Sequence, residues 1–228
     1  MKAHVNSGDF QLAPEGSHFC RLIRIIDLGT TYNEMYSKNQ HKICLMYELT
    51  SCLMEADDKG VQRPFIIAEF PTLTMSELGN LRARIVTWRG KDFVSDEEAE
   101  DFDISKMLNA PGLMTIIHSP NSKGKMKAKP ASVISCIEGM EKPKAINPLV
   151  FIDFDDFDMK TFETLSDGMQ KQIKESNEWK ELIGESKTEQ PPAAALPDEM
   201  PVMSENPAPQ QQPAPNAMPS NFDDDISF

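Results

Sequence analysis

Four lysines at every second position, Lys123, Lys125, Lys127 and Lys129 in SPNSKGKMKAKP, form the densest cationic pattern in the chain. In extended backbone, side chains two residues apart point the same way, so this spacing sets four ammonium groups along one side, as a phosphate backbone requires. A second cluster, TTYNEMYSKNQHK, combines Tyr32 and Tyr36 with Lys38, His41 and Lys42. Tyrosine rings stack on nucleobases without selecting among them, at ~1–3 kcal/mol per engaged base, while the lysines meet phosphates. Phe70, Trp88 and Arg89 join these as candidate nucleic-acid contacts. Tyr47 and Phe65 lie in phase with core residues and Trp88 with the apolar face of a helix, so a packing role competes at those positions. The third feature is the terminal run Phe222, Asp223, Asp224, Asp225, Ile226, Ser227 and Phe228. Its final ring and the terminal carboxylate suit an apolar pocket gated by Arg or Lys, and its aspartates steer it towards a basic rim.

Other chemistries find little purchase. DFDDFD at 153–158 concentrates carboxylates as metal-dependent nucleases do, but no histidine accompanies it, and alternating Phe with Asp suits an edge segment or docking strip. His4, His18, His41 and His118 are scattered without ligand spacing, and the chain has neither a phosphate-cradling glycine loop nor a nucleophile elbow. No catalytic residue, metal site or cofactor is therefore expected. Cys20, Cys44, Cys52 and Cys136 show no C-x-x-C pairing and sit mostly in apolar runs, as core residues do.

Charge divides the chain. Residues 1–150 hold 18 Lys+Arg against 19 Asp+Glu, and residues 151–228 hold 5 against 17, so nearly all of the net charge of −13 lies in the second part. The acidic average thus does not argue against phosphate binding by the first part. The opening Met1-Lys2-Ala3-His4-Val5 lacks the apolar stretch of a secretory signal, and no run approaches the ~18 apolar residues of a membrane span. A soluble, cytoplasmic protein is expected.

The candidate contacts need a scaffold, and the periodicity describes one. FCRLIRIIDL (19–28), HKICLMYELTSC (41–52) and RPFIIAEFPTL (63–73) read as strands, the last two joined through the ADDKG turn at 56–60. In the second, Ile43, Leu45, Tyr47 and Leu49 alternate with Lys42, Cys44, Met46 and Glu48. In the third, Phe65, Ile67 and Glu69 oppose Ile66, Ala68 and Phe70. From Thr74 to Arg89 the period becomes about 3.6, with Leu78, Leu81, Ile85 and Trp88 on one helical face and Arg82, Arg84 and Arg89 away from it. Ser95 with Glu98 announces a short inserted helix. GLMTIIHS (112–119) and ASVISCIEG (131–139) supply strands four and five, with the lysines on the loop between them. Strand, strand, strand, helix, strand, strand is the element order of an OB-fold, a five-stranded Greek-key barrel, whose ligand groove is flanked by the loops that here carry the tyrosines and lysines.

The domain plan is an OB-fold over residues 1–150, an acidic helical extension over 151–187 with caps at Ser166 and Asn177, a disordered Pro/Ala/Gln linker over 188–221, and the acidic tip 222–228. The linker has no Lys or Arg and nine prolines between Pro191 and Pro219.

The tip closely resembles that of bacterial single-stranded DNA-binding proteins, with Ser227 standing where that family has proline. PEG at 14–16, RLIRIIDLGT at 21–30, LTMSELGNLRARIVTWRGKDF, NPLVF and SNEWKEL resemble a family of phage-encoded OB-fold single-stranded DNA-binding proteins across residues 10–182. The resemblance implies sequence-tolerant coating of single-stranded DNA in phage replication, recombination or repair, in the host cytoplasm. It also implies that replication and repair proteins dock on Phe222, Asp223, Asp224, Asp225, Ile226 and Phe228. The competing reading is a protein-only adaptor or DNA mimic, whose acidic segment captures a host DNA-metabolism protein.

Overall fold

A computed structural model describes residues 11–55, 60–121, 124–137, 139–140 and 142–184, all within one compact unit, Met1–Lys187. The linker and tip at 188–228, Lys123, and residues 56–59 of the ADDKG turn lie outside the described residues.

The strands are β1 (Gly16–Asn33), β2 (Lys38–Leu53), β3 (Pro64–Glu69), β4 (Pro111–Pro120), β5 (Met126–Ile134) and β6 (Val150–Ile152). Helices α1 (Asn80–Arg89) and α2 (Asp96–Glu100) separate β3 from β4, and α3 (Met159–Glu163), α4 (Asp167–Lys174) and α5 (Asn177–Leu182) follow β6. Five strands pair antiparallel in the order β3-β2-β1-β4-β5, and β3 and β5 approach each other without pairing, so the sheet is a nearly closed barrel. An OB-fold-like barrel is compatible with this order. The long β1 makes the curvature possible. Its register with β2 shifts between Leu22 and Arg24 and again between Asp27 and Gly29, and such bulges bend and twist a strand.

Two apolar clusters lie on opposite sides of the β1–β2 ribbon. Inside the barrel, Leu22, Ile25, Ile43, Leu45, Tyr47, Leu49, Phe65, Ile67, Met114, Ile116 and Val133 pack beneath Leu81, Ile85 and Trp88 of α1. Each fully buried aliphatic chain contributes about 1.5–3 kcal/mol relative to exposure. The alternation in β2 thus marks the inward face as read from the sequence. Its other face is covered too: Ile26, Leu28 and Cys44 pack with Val150, Ile152, Phe162, Leu165, Met169, Ile173 and Trp179. Residues 150–184 are therefore an integral layer on the sheet. β6 pairs parallel with β1 over Arg24–Ile26, just past the stretch of β1 that pairs with β4. Phe154 and Phe157 of the DFDDFD run pack against this second cluster, while Asp158 caps α3 by accepting from the Lys160 and Thr161 amides.

Two sequence boundaries move, and one side chain changes face. The helix expected from Thr74 begins at Asn80, because Thr74–Gly79 closes its own turn with Gly79 N–H donating to Ser76 O. Leu78, placed on the buried helix face by its phase, is consequently 98% exposed. Arg82, expected away from the buried face, is buried, where Asp96 takes its guanidinium at 2.6 Å. Finally, the second half of the lysine segment belongs to β5: Lys127 lies opposite Ser119 and Lys129 opposite Ile117. Ser95 does cap α2, accepting from Glu98 N–H.

Candidate nucleic-acid interface

The gap between the unpaired edges of β3 and β5 opens as a cleft of about 540 Å³, with α1 forming one wall. Extended backbone in β5 turns Lys127 and Lys129 outward on either side of buried Ala128, so both reach the cleft. On the facing side, Phe70 continues the outward face of β3. Phe65 and Ile67 enter the core, whereas Ile66 and Phe70 are 42% and 45% exposed. Which face of this strand is open could not be read from alternation, since both are apolar.

Arg84 of α1 and Glu69 of β3 pair at 2.5 Å inside the cleft, and Arg84 Nη2 also donates to Pro130 O at 3.5 Å. The pair couples the helix to both strands, and each charge cancels the other, which leaves Lys127 and Lys129 as the cleft's uncompensated cations among its described residues. Beneath them Tyr47 is fully buried. Burial first, and the Glu69 carboxylate second, hold its hydroxyl well above its ordinary value, so it stays neutral.

Two smaller clefts adjoin this one. One of about 220 Å³ shares Phe70 and is completed by Leu28, Gly29, Thr31, Lys42, Gln172 and Glu175. The other, about 290 Å³, shares Asn80 and includes Lys38, Asn39, Gln40 and His41. His41 donates to Asp27 at 2.6 Å and faces Glu178 at 3.8 Å, and the Asp27 hydrogen bond raises its pKa despite partial burial. Lys38, His41 and Lys42 of β2 and Lys127 and Lys129 of β5 thus border one connected series of depressions.

No protein-family model matches the chain, and no curated protein is significantly similar to it. The site therefore rests on its own geometry.

The remaining candidates divide. Tyr32 and Tyr36 are 63% and 60% exposed at the β1–β2 turn, where Asn33 caps a short 3-10 turn, but neither lines the three clefts. Lys125 sits in the β4–β5 hairpin, its amide donating to Asn121 Oδ1. Trp88 takes the packing role that its helical phase implies: it is buried against Tyr47, with ring centroids 5.7 Å apart, and its Nε1–H donates to Pro111 O at 2.9 Å. The Arg89 guanidinium lies 4.3 Å over the Phe93 ring and 3.6 Å from Glu98 of α2. The Trp88 side chain is buried, whereas that of Arg89 is partly exposed. Sequence reasoning missed Arg84, Asn80, Gln172 and Glu175. Arg84 stood in the polar stripe of the helix, but nothing in the sequence placed residues 172 and 175 beside Phe70.

Proposed function

We propose that this protein is an OB-fold, sequence-tolerant single-stranded DNA-binding protein of phage replication, recombination or repair. The observation that carries the reading is the cleft where Phe70 faces Lys127 and Lys129 across the β3–β5 gap. An exposed ring with flanking ammonium groups stacks a base and meets the phosphates on its two sides. Lys38 and Lys42 extend the cationic track, with Tyr32 and Tyr36 as further stacking surfaces at its end. The acidic tip then serves as a handle for replication and repair proteins.

Fluorescence titration of the full chain with an oligothymidylate and with a duplex of equal length tests this. Single strands should bind more tightly, with affinity falling steeply as salt rises. Replacing Lys127 and Lys129 by Ala should make the log–log salt slope shallower by about 1.4, from ~0.7 per phosphate contact. An unchanged slope removes these lysines from the interface. No binding to the oligothymidylate at low salt rejects the reading in favour of the protein-only adaptor.

A further inference from the structure

The 220 Å³ cleft beyond Phe70 has a composition unlike that of the main one. Its floor is Leu28, 6% exposed, and one side is the Phe70 ring. Lys42 offers an ammonium group and Thr31 a hydroxyl. Gln172 of α4 and Glu175 at its C-terminal end, both exposed and three residues apart on one helical face, complete the lining. The position of this wall is fixed. Gly29, at φ +70°, leaves no room for a Cβ, which would lie 2.5 Å from Ser176 Cβ and 2.6 Å from Glu178 Oε2. Glu178 in turn accepts from the Thr30 amide and hydroxyl, each at 2.6 Å. The α4–α5 junction is therefore clamped onto β1 at the point where the cleft forms.

We propose that this cleft is a base-reading subsite, and that Gln172 and Glu175 give it a preference for a nucleobase bearing an exocyclic amine over thymine. The inference rests on the nucleic-acid reading of the Phe70 groove and deepens it. The volume lies below the ~300 Å³ at which pockets begin to hold drug-sized ligands, so the space suits one base. A ring and an apolar floor hold the faces of that base, and Lys42 meets its phosphate. The edge of the base then meets an acceptor-only carboxylate beside an amide that both donates and accepts. Cytosine satisfies both, its amine donating to Glu175 and its ring nitrogen accepting from Gln172. Thymine turns a carbonyl towards the carboxylate at the same place. The C-terminal helices thereby become part of the interface, adding a preference at one position to otherwise tolerant binding.

Cytosine and thymine have similar size and stacking area, which makes them the probes. Oligodeoxycytidylate and oligodeoxythymidylate of equal length are titrated against the full chain at pH 8 and one salt concentration. The parent protein should bind the cytosine strand about five-fold more tightly or better, the lower end of what a good base-edge contact contributes. The double variant Gln172→Ala/Glu175→Ala should bring that ratio to about one while changing thymidylate affinity less than about two-fold. Both side chains are exposed, and circular dichroism confirms that the variant is folded. Equal affinities in the parent protein, or a ratio that survives the double substitution, overturn the subsite alone. Failure of both strands to bind overturns the nucleic-acid reading and the subsite with it.

Discussion

Glu48 lies fully buried on β2, where its carboxylate accepts from the Ile146 and Asn147 amides at 2.7 and 2.8 Å and from Asn147 Nδ2 at 2.6 Å. It fastens the segment between β5 and β6 to the barrel and so sets where the outer layer begins. Truncation to Ala leaves three donors without their acceptor, at a cost of about 3 kcal/mol. A urea midpoint that falls with an unchanged m-value is the expected result for E48A. His41 makes a pH-dependent contribution at the edge of the groove. Its folded-state pKa is raised above the ordinary 6.5 by the Asp27 hydrogen bond, with Asp27, Glu178 and Asp153 as facing carboxylates. Its stabilisation is therefore complete below pH 6.5 and is lost as pH rises through the raised value. Glu178 behaves oppositely: burial alone would raise it, but the Thr30 hydroxyl and amide, aided by His41, hold it below the ordinary 4.5. That contribution is present above pH 4.5 and is lost as pH falls. Unfolding midpoints measured across pH 5–9 should decline on the alkaline side, and H41N should flatten that decline.

At the scale of elements, the position that binds the two layers is the bulge at Gly29. A side chain there meets both a left-handed backbone conformation and the Ser176 side chain. G29A should loosen α4 and α5 from β1 while leaving the interior of the barrel packed. Hydrogen exchange should quicken across residues 167–182 and change little in β4, and uniform protection in the variant would refute this coupling. Several elements were legible beforehand because their patterns have one physical reading. Ile43, Leu45, Tyr47 and Leu49 alternate with polar residues, and Ser95 with Glu98 marks a helix start. The lysine segment, expected as a loop, enters β5 from Met126 and carries Pro130 within the strand. Here the proline sits at the register shift of the β4–β5 pair, where an irregular ladder tolerates its missing N–H. Leu78 fits the helical phase yet lies in the turn before α1, because a 3.6 period carries no information about where a preceding turn ends.

At the scale of the whole molecule, the proposed function assigns DNA to the folded groove and partner docking to the acidic tip. Deleting residues 222–228 should abolish co-precipitation of host replication and repair proteins while leaving oligothymidylate affinity undiminished. A loss of DNA affinity in that variant would contradict the separation. No helix among the described residues is long and apolar enough to cross a membrane. The outer layer also explains why both faces of β1 read as apolar: Ile25 faces the barrel interior and Ile26 the cluster around Phe162 and Trp179.

Local order, the inward face of β2, and the segregation of negative charge towards the C-terminal part follow from the amino-acid sequence alone, because they depend on neighbouring residues and on composition. The open face of Phe70, the capture of Arg89 by Phe93 and the placement of Gln172 in one cleft with Lys42 belong to the tertiary structure. Each depends on residues far apart in the chain, and apolar periodicity states only that a side chain is covered, never by which partner.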